Sequence, residues 1–132
     1  MATDLSSIDP ALLALMHGSF GTDGALKPFA KEIFLLECRV AGTSHQPVKE
    51  IEPGLKPGGL LPFLREPANT FDTLAIRIHD EAGHTLGWVP KEKNEVLARL
   101  MDAGKLLFGR LERKSWVGGW LKLEIRVFLR DL

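Results

Sequence analysis

Apolar and polar positions alternate in several stretches of this chain with a period of two, the spacing of a half-buried strand. Residues 32–42 show it first: Phe34, Leu36, Cys38 and Val40 interleave with Glu37 and Arg39. Residues 60–65 form a short apolar run, and residues 73–79 place Leu74, Ile76 and Ile78 on one face. Asp80-Glu81-Ala82-Gly83 has the composition of a hairpin turn into residues 84–89, and Pro90 stops that strand. The spacing then changes to that of a helix over 91–103, with Val96, Leu97, Leu100 and Met101 on one face and Gly104 as the stop. Strands follow at 105–113 and 119–129, joined through Gly118-Gly119. In the last strand Leu121, Leu123, Ile125, Val127 and Leu129 point one way, and Trp120, Lys122, Glu124, Arg126 and Phe128 the other.

Between these elements, residues 45–59 carry Pro47, Pro53, Pro57, Gly54, Gly58 and Gly59, too broken for a strand or helix interior. At the N-terminus, Asp9 is a good helix cap, Pro10 suits the first helical turn, and Gly18 can end the helix. Leu12, Leu15 and Met16 give that helix a small apolar stripe, and residues 18–28 read as a linker. The expected organisation is a helix and linker over 1–30 and a β domain over 31–132. Five or six short strands with one internal helix do not make a βαβ series. They predict a mainly β chain with one or two helices, closed into a small, partly closed antiparallel barrel that removes sheet edges.

Composition bounds the function. At 132 residues, 45% hydrophobic and 26% charged, the chain suits one globular domain. The lone Cys38 makes no internal disulfide; as part of the first strand it is expected to be a small core residue. No basic, apolar leader and no stretch of 18 apolar residues is evident, so a cytoplasmic protein without a membrane span is expected. Seventeen basic and seventeen acidic residues give zero net charge, which argues against tracking a long phosphate backbone. The charge is uneven, however. Residues 1–104 hold 10 basic and 14 acidic groups, residues 105–132 hold 7 and 3, and the C-terminal quarter can face an anion.

Catalytic signatures are missing: no phosphate-cradling glycine loop, no H-E-x-x-H, no nucleophile elbow and no cysteine pair for zinc. Neither an enzyme nor a cofactor or metal is expected. His79 and His84 flank the hairpin loop beside Asp80, a pairing more usual for a surface turn than for a metal site. The turn after residue 65 brings Asn69, Phe71 and Asp72 together. Their side chains can bind a ligand, or Asn69 and Asp72 can simply hold the turn through hydrogen bonds to the backbone.

The stretch Arg65-Glu66-Pro67-Ala68-Asn69-Thr70-Phe71-Asp72, with Val40-Ala41-Gly42, Ala75-Ile76, Gly83 and Leu86-Gly87-Trp88-Val89-Pro90 before a helix, resembles the HIRAN domain. The resemblance covers about residues 33–129 and leaves the first 30 outside. It implies an OB-like barrel and nucleic-acid binding. In helicase-linked eukaryotic members it implies capture of the 3′ end of single-stranded DNA at stalled forks; this chain looks like the small stand-alone bacterial members. Carried over by position, Asp72 would accept a hydrogen bond from a 3′-hydroxyl, and Phe71 would stack on a terminal base. Asn69 would order the turn or touch the nucleotide, Trp120 would pack on a base, and Lys91 would meet a phosphate. Ser44 and His45 stand where DNA-capturing members have an Arg and a Tyr, Phe71 stands for a Tyr, and Trp88 replaces a polar phosphate contact. The 46–59 loop is longer and richer in proline.

The expected function is therefore a nucleic-acid-binding module for single-stranded DNA ends in repair or fork processing. The alternative is a protein-interaction or assembly module without nucleic-acid binding, using the 9–17 helix and the proline-rich loop.

Overall fold

The computed structural model describes residues 31–131. The helix expected over 9–17 and the linker after it lie outside the described residues. Strand β1 runs Lys31–Arg39. A 3-10 turn, Thr43–His45, precedes helix α1, Val48–Ile51, and a second 3-10 turn, Glu52–Gly54. Then come β2, Leu60–Arg65, β3, Ile76–His79, and β4, Thr85–Trp88. Helix α2, Lys91–Asp102, leads to β5, Leu106–Val117, and β6, Trp120–Asp131.

The six strands form one sheet in the order β1-β6-β5-β2-β3-β4. Strand β2 serves two partners in succession. Leu60–Pro62 pair with Arg110–Phe108 of β5, and Phe63–Arg65 pair with Ile78–Ile76 of β3. The change of partner turns the sheet onto itself and makes a curled half-barrel. Past the end of β1, the Val40 N–H donates to the Leu123 carbonyl on β6 (2.9 Å). One residue on, Ala41 exchanges two hydrogen bonds of 2.8 Å with Trp88 on β4. One bridge thus joins the first strand's extension to the last strand of the row.

Gly87 makes that bridge possible. A Cβ there would stand 2.1 Å from the Ala41 carbonyl oxygen, and the residue's φ of 155° is one that side chains rarely adopt. The interior is filled by the face that the period of two predicted: Ile76, Ile78, Leu86, Leu121, Leu123, Ile125 and Val127 are all buried. Each such side chain contributes about 1.5–3 kcal/mol by leaving water.

Several expectations are corrected. The expected 32–42 strand ends at Arg39, because Val40 and Ala41 change partners from β6 to β4. Phe34 is half-exposed and meets Phe128 edge-on with ring centroids 5.9 Å apart, so it does not join the interior. The strand expected from 73 starts at Ile76, since Leu74 and Ala75 are held in a turn by Asp72. The strand expected at 105–113 extends to Val117.

The proline-rich segment is not all loop. Pro47 caps α1 and Pro53 lies in the first turn of the second 3-10 segment, positions where a missing N–H costs nothing. The segment buries Ile51 and Leu55. In α2, Val96 is 67% exposed, and the buried face is Asn94, Leu97 and Ala98. Cys38 is half-buried, and loss of solvent pushes its thiol up to about 11, away from the reactive thiolate.

Candidate functional site

Arg65, the last residue of β2, organises the excursion that follows it. Its guanidinium donates to the Thr73 carbonyl (2.9 Å) and the Ala75 carbonyl (3.1 Å), closing the base of the 66–75 loop. It also makes a two-bond fork onto Asp102 at the end of α2 (2.9 and 3.0 Å). Within the loop, Asn69 Oδ1 accepts the backbone N–H of Phe71 (2.8 Å) and of Asp72 (3.0 Å). This is an Asx turn, and it spends the Asn69 oxygen on the backbone. Its consequence is that Phe71 stands 90% exposed, held away from every core position.

Asp72 is shared between the turn and the helix. Its Oδ1 accepts the Leu74 N–H (2.9 Å), and its Oδ2 accepts Nδ2 of the buried Asn94 (2.8 Å). The Leu74 bond lowers the Asp72 pKa first; burial opposes it, and Asn94, Lys91 and Arg65 lower it further. The group is therefore a carboxylate at neutral pH. Each oxygen accepts one bond and retains acceptor capacity for another.

Glu66 ties the loop to the opposite wall. Its Oε1 accepts the Trp88 indole N–H (2.8 Å) and Nδ2 of Asn69 (3.2 Å). Its Oε2 forms an ion pair with Arg77 at 2.9 Å, without a linear hydrogen bond. Burial works against its ionisation, but the bonds from Trp88 and Asn69 and the charge of Arg77 outweigh it, and its pKa lies below the ordinary value. Trp88 lies over Gly42, where a Cβ would come within 3.1 Å of the indole ring.

These groups enclose a cleft of about 300 Å³ lined by Ala41, Asn69, Phe71, Asp72, Ala75, Trp88, Val89 and Lys91. Of the residues singled out in the sequence, Asn69, Phe71, Asp72, Trp88 and Lys91 meet here. Ser44, His45 and Trp120 do not line the cleft. Ser44 and His45 are exposed on the Thr43–His45 turn, and Trp120 is 37% exposed at the start of β6. The buried Thr43 hydroxyl donates to the Leu121 carbonyl (2.9 Å), tying that turn to that strand.

The matching family model is that of the HIRAN domain, over residues 33–130. The chain belongs to the HIRAN family. Its fold matches the crystal structure of a protein from Lactobacillus plantarum, 21% identical over 78% of this chain and 99% of that one, with a TM-score of 0.71. It also matches the crystal structure of the HIRAN domain of human HLTF, 19% identical over 76% of this chain and 79% of that one, with a TM-score of 0.59. At these identities the likeness is one of fold. No curated protein matches the chain by sequence. HIRAN domains are nucleic-acid-binding modules rather than catalysts.

In this HIRAN domain, Glu66, Asn94 and Arg65 hold the residues that line the cleft, and no sequence motif marks them for that part. Arg65 and Glu66 stood inside the resembling motif, but a charged pair before a proline does not announce what it will hold. Asn94 had a signal: it occupies the position three residues before Leu97 on the buried helix face, where a polar side chain needs a partner. Among the described residues no group of three His, Cys, Asp or Glu side chains could hold a metal, and His84 instead faces Asp80 across 2.8 Å. No helix among them is long and apolar enough to cross a membrane.

Proposed function

We propose that this chain is a binding protein, not an enzyme, that captures the 3′ end of single-stranded DNA in the Asp72 cleft. The observation that carries this reading is Phe71. A phenyl ring 90% exposed on a turn pinned by two hydrogen bonds contributes nothing to the core, whereas it offers a face on which a base can stack. Stacking of this kind tolerates any base and is worth roughly 1–3 kcal/mol per base.

The rest of the cleft supports the same ligand. The ionised Asp72 accepts from a hydroxyl and repels a terminal phosphate. Lys91, on the cleft rim at the start of α2, supplies a cation for the first internucleotide phosphate. Trp88, fixed by Glu66, forms a flat opposite wall. The zero net charge suits an end pocket that meets few phosphates, and a role in DNA repair or fork processing follows from recognising ends.

The test is fluorescence anisotropy with a 5′-labelled ten-nucleotide single strand ending in a 3′-hydroxyl or a 3′-phosphate. Tighter binding of the hydroxyl end, weakened in Asp72→Ala, is expected, with a log–log salt slope no steeper than about −3. Equal binding of both ends sinks the end-capture reading. The melting temperature of Asp72→Ala is measured alongside, since that variant also strips the buried Asn94 of its acceptor.

A further inference from the structure

The proline-rich segment plays no part in the Asp72 cleft, yet it builds a second one at the other end of the β3–β4 hairpin. Residues 50–59 form one wall and the hairpin turn forms the other, around about 300 Å³. The floor is aliphatic, made by Leu60, Leu61 and Leu111. The rim is acidic, with Glu50 on the loop wall and Glu81 on the turn wall, both exposed and without an ion-pair partner among the described residues.

The third carboxylate, Asp80, is largely used by its own turn. It accepts the N–H groups of Ala82 (3.0 Å) and His84 (2.8 Å) and faces His84 Nδ1 at 2.8 Å, which stiffens the turn wall. Lys56 is the only lysine or arginine on the lining, so three carboxylates stand against one ammonium.

A cleft with an aliphatic floor and two carboxylates on its lining that pair with no described residue selects its guest by chemistry. Nucleic acid is excluded, because phosphates would meet Glu50 and Glu81. A purely aliphatic side chain would leave both charges unanswered. A side chain with an apolar stem and a cationic head satisfies floor and rim together. Arginine fits better than lysine: its planar fork presents five donors and can bridge carboxylates on two facing walls, and it gives up its hydration more readily than an ammonium.

We propose that this cleft docks a partner protein by taking one of its arginine side chains, with the stem along Leu60 and the guanidinium between Glu50 and Glu81. The two ends of one hairpin then serve opposite charges, a DNA end at Asp72 and a basic protein segment at Glu50 and Glu81.

The experiment uses the full chain, labelled with nitrogen-15 and titrated with N-acetyl-arginine methylamide. The expected result is saturable shifts of the Gly54, Leu60, Glu81 and Ala82 amides at millimolar concentration, and weaker binding of the uncharged citrulline analogue. Glu50→Gln with Glu81→Gln should weaken binding about tenfold, the scale of losing two exposed charged contacts. Asp72→Ala should leave it unchanged, and the double variant should bind single-stranded DNA as the wild type does. Absence of shifts up to about 50 mM, an affinity too weak for any side-chain pocket, overturns the proposal. So does equal binding of the citrulline analogue, and equal binding of the lysine analogue overturns the choice of arginine.

Discussion

Asp72 and Asp80 stand at opposite ends of the β3–β4 hairpin, each in a tight turn and each with its pKa below the ordinary aspartate value. Their partners differ. Asp80 is bonded only within its own turn: burial opposes its ionisation, and the side chain and backbone of His84 and the backbone of Ala82 overcome it. Three of its roughly four acceptor positions are taken within five residues of chain. Asp72 divides itself between the Leu74 backbone and Asn94, 22 residues away on α2, and keeps capacity toward a cleft. A turn that closes on itself shapes a wall; a turn held from outside can present a side chain to a ligand. Phe71 is the sign of this difference, since no residue of the Asp80 turn exposes a large apolar ring.

Four measurements sharpen or break this contrast. The largest effect is expected on β4 of that hairpin. Gly87→Ala forces a Cβ against the Ala41 carbonyl and should remove the closing bridge, costing at least about 3 kcal/mol, read as a lower urea midpoint. An unchanged midpoint would mean that the barrel does not need this closure. Next, Glu66→Ala leaves the Trp88 indole, the Asn69 amide and Arg77 without their acceptor and should cost about 2 kcal/mol. Glu81→Ala in the other turn should stay within about 0.5 kcal/mol of wild type. Comparable losses in the two variants would erase the distinction between the turns.

Phe71→Ala should leave the melting temperature unchanged while weakening binding of a single-stranded 3′ end by about 1–3 kcal/mol, roughly five- to 150-fold. A large loss of stability would instead make the ring structural. The smallest effect is acid sensitivity. Because the folded Asp80 has a lowered pKa, its stabilisation is present above the unfolded value of about 4 and is lost as pH falls through the lowered one. Melts between neutral pH and pH 3 should show wild type losing more stability than Asp80→Asn, by less than about 1 kcal/mol.

Much of the fold is legible in the sequence. The alternation from Leu121 to Val127 marked a strand with one buried face, the Asp80–Gly83 turn fell between β3 and β4, and helix α2 begins after Pro90 as its spacing required. The misreadings have physical causes. At 45–59 the prolines read as breakers, whereas Pro47 and Pro53 sit at helix starts, where they are tolerated. Helical spacing groups Val96 with Leu97, Leu100 and Met101 on one apolar face, and the structure turns it outward. The Asp72–Asn94 bond favours the rotation of α2 that turns a polar side chain in and a valine out.

The candidate site divides in the same way. The sequence determined which groups were available: an Asx residue two positions before an aromatic, an aspartate after it, and a lysine at a helix start. Those are local relations, and local hydrogen bonds realise them. The tertiary structure decided which groups meet. Glu66 reaches Trp88 across 22 residues of chain, Thr43 reaches Leu121 across 78, and Ala41 reaches Trp88 because Gly87 lets two backbones touch. Such contacts depend on how the sheet curls, and the curl comes from β2 changing partners half-way along its length.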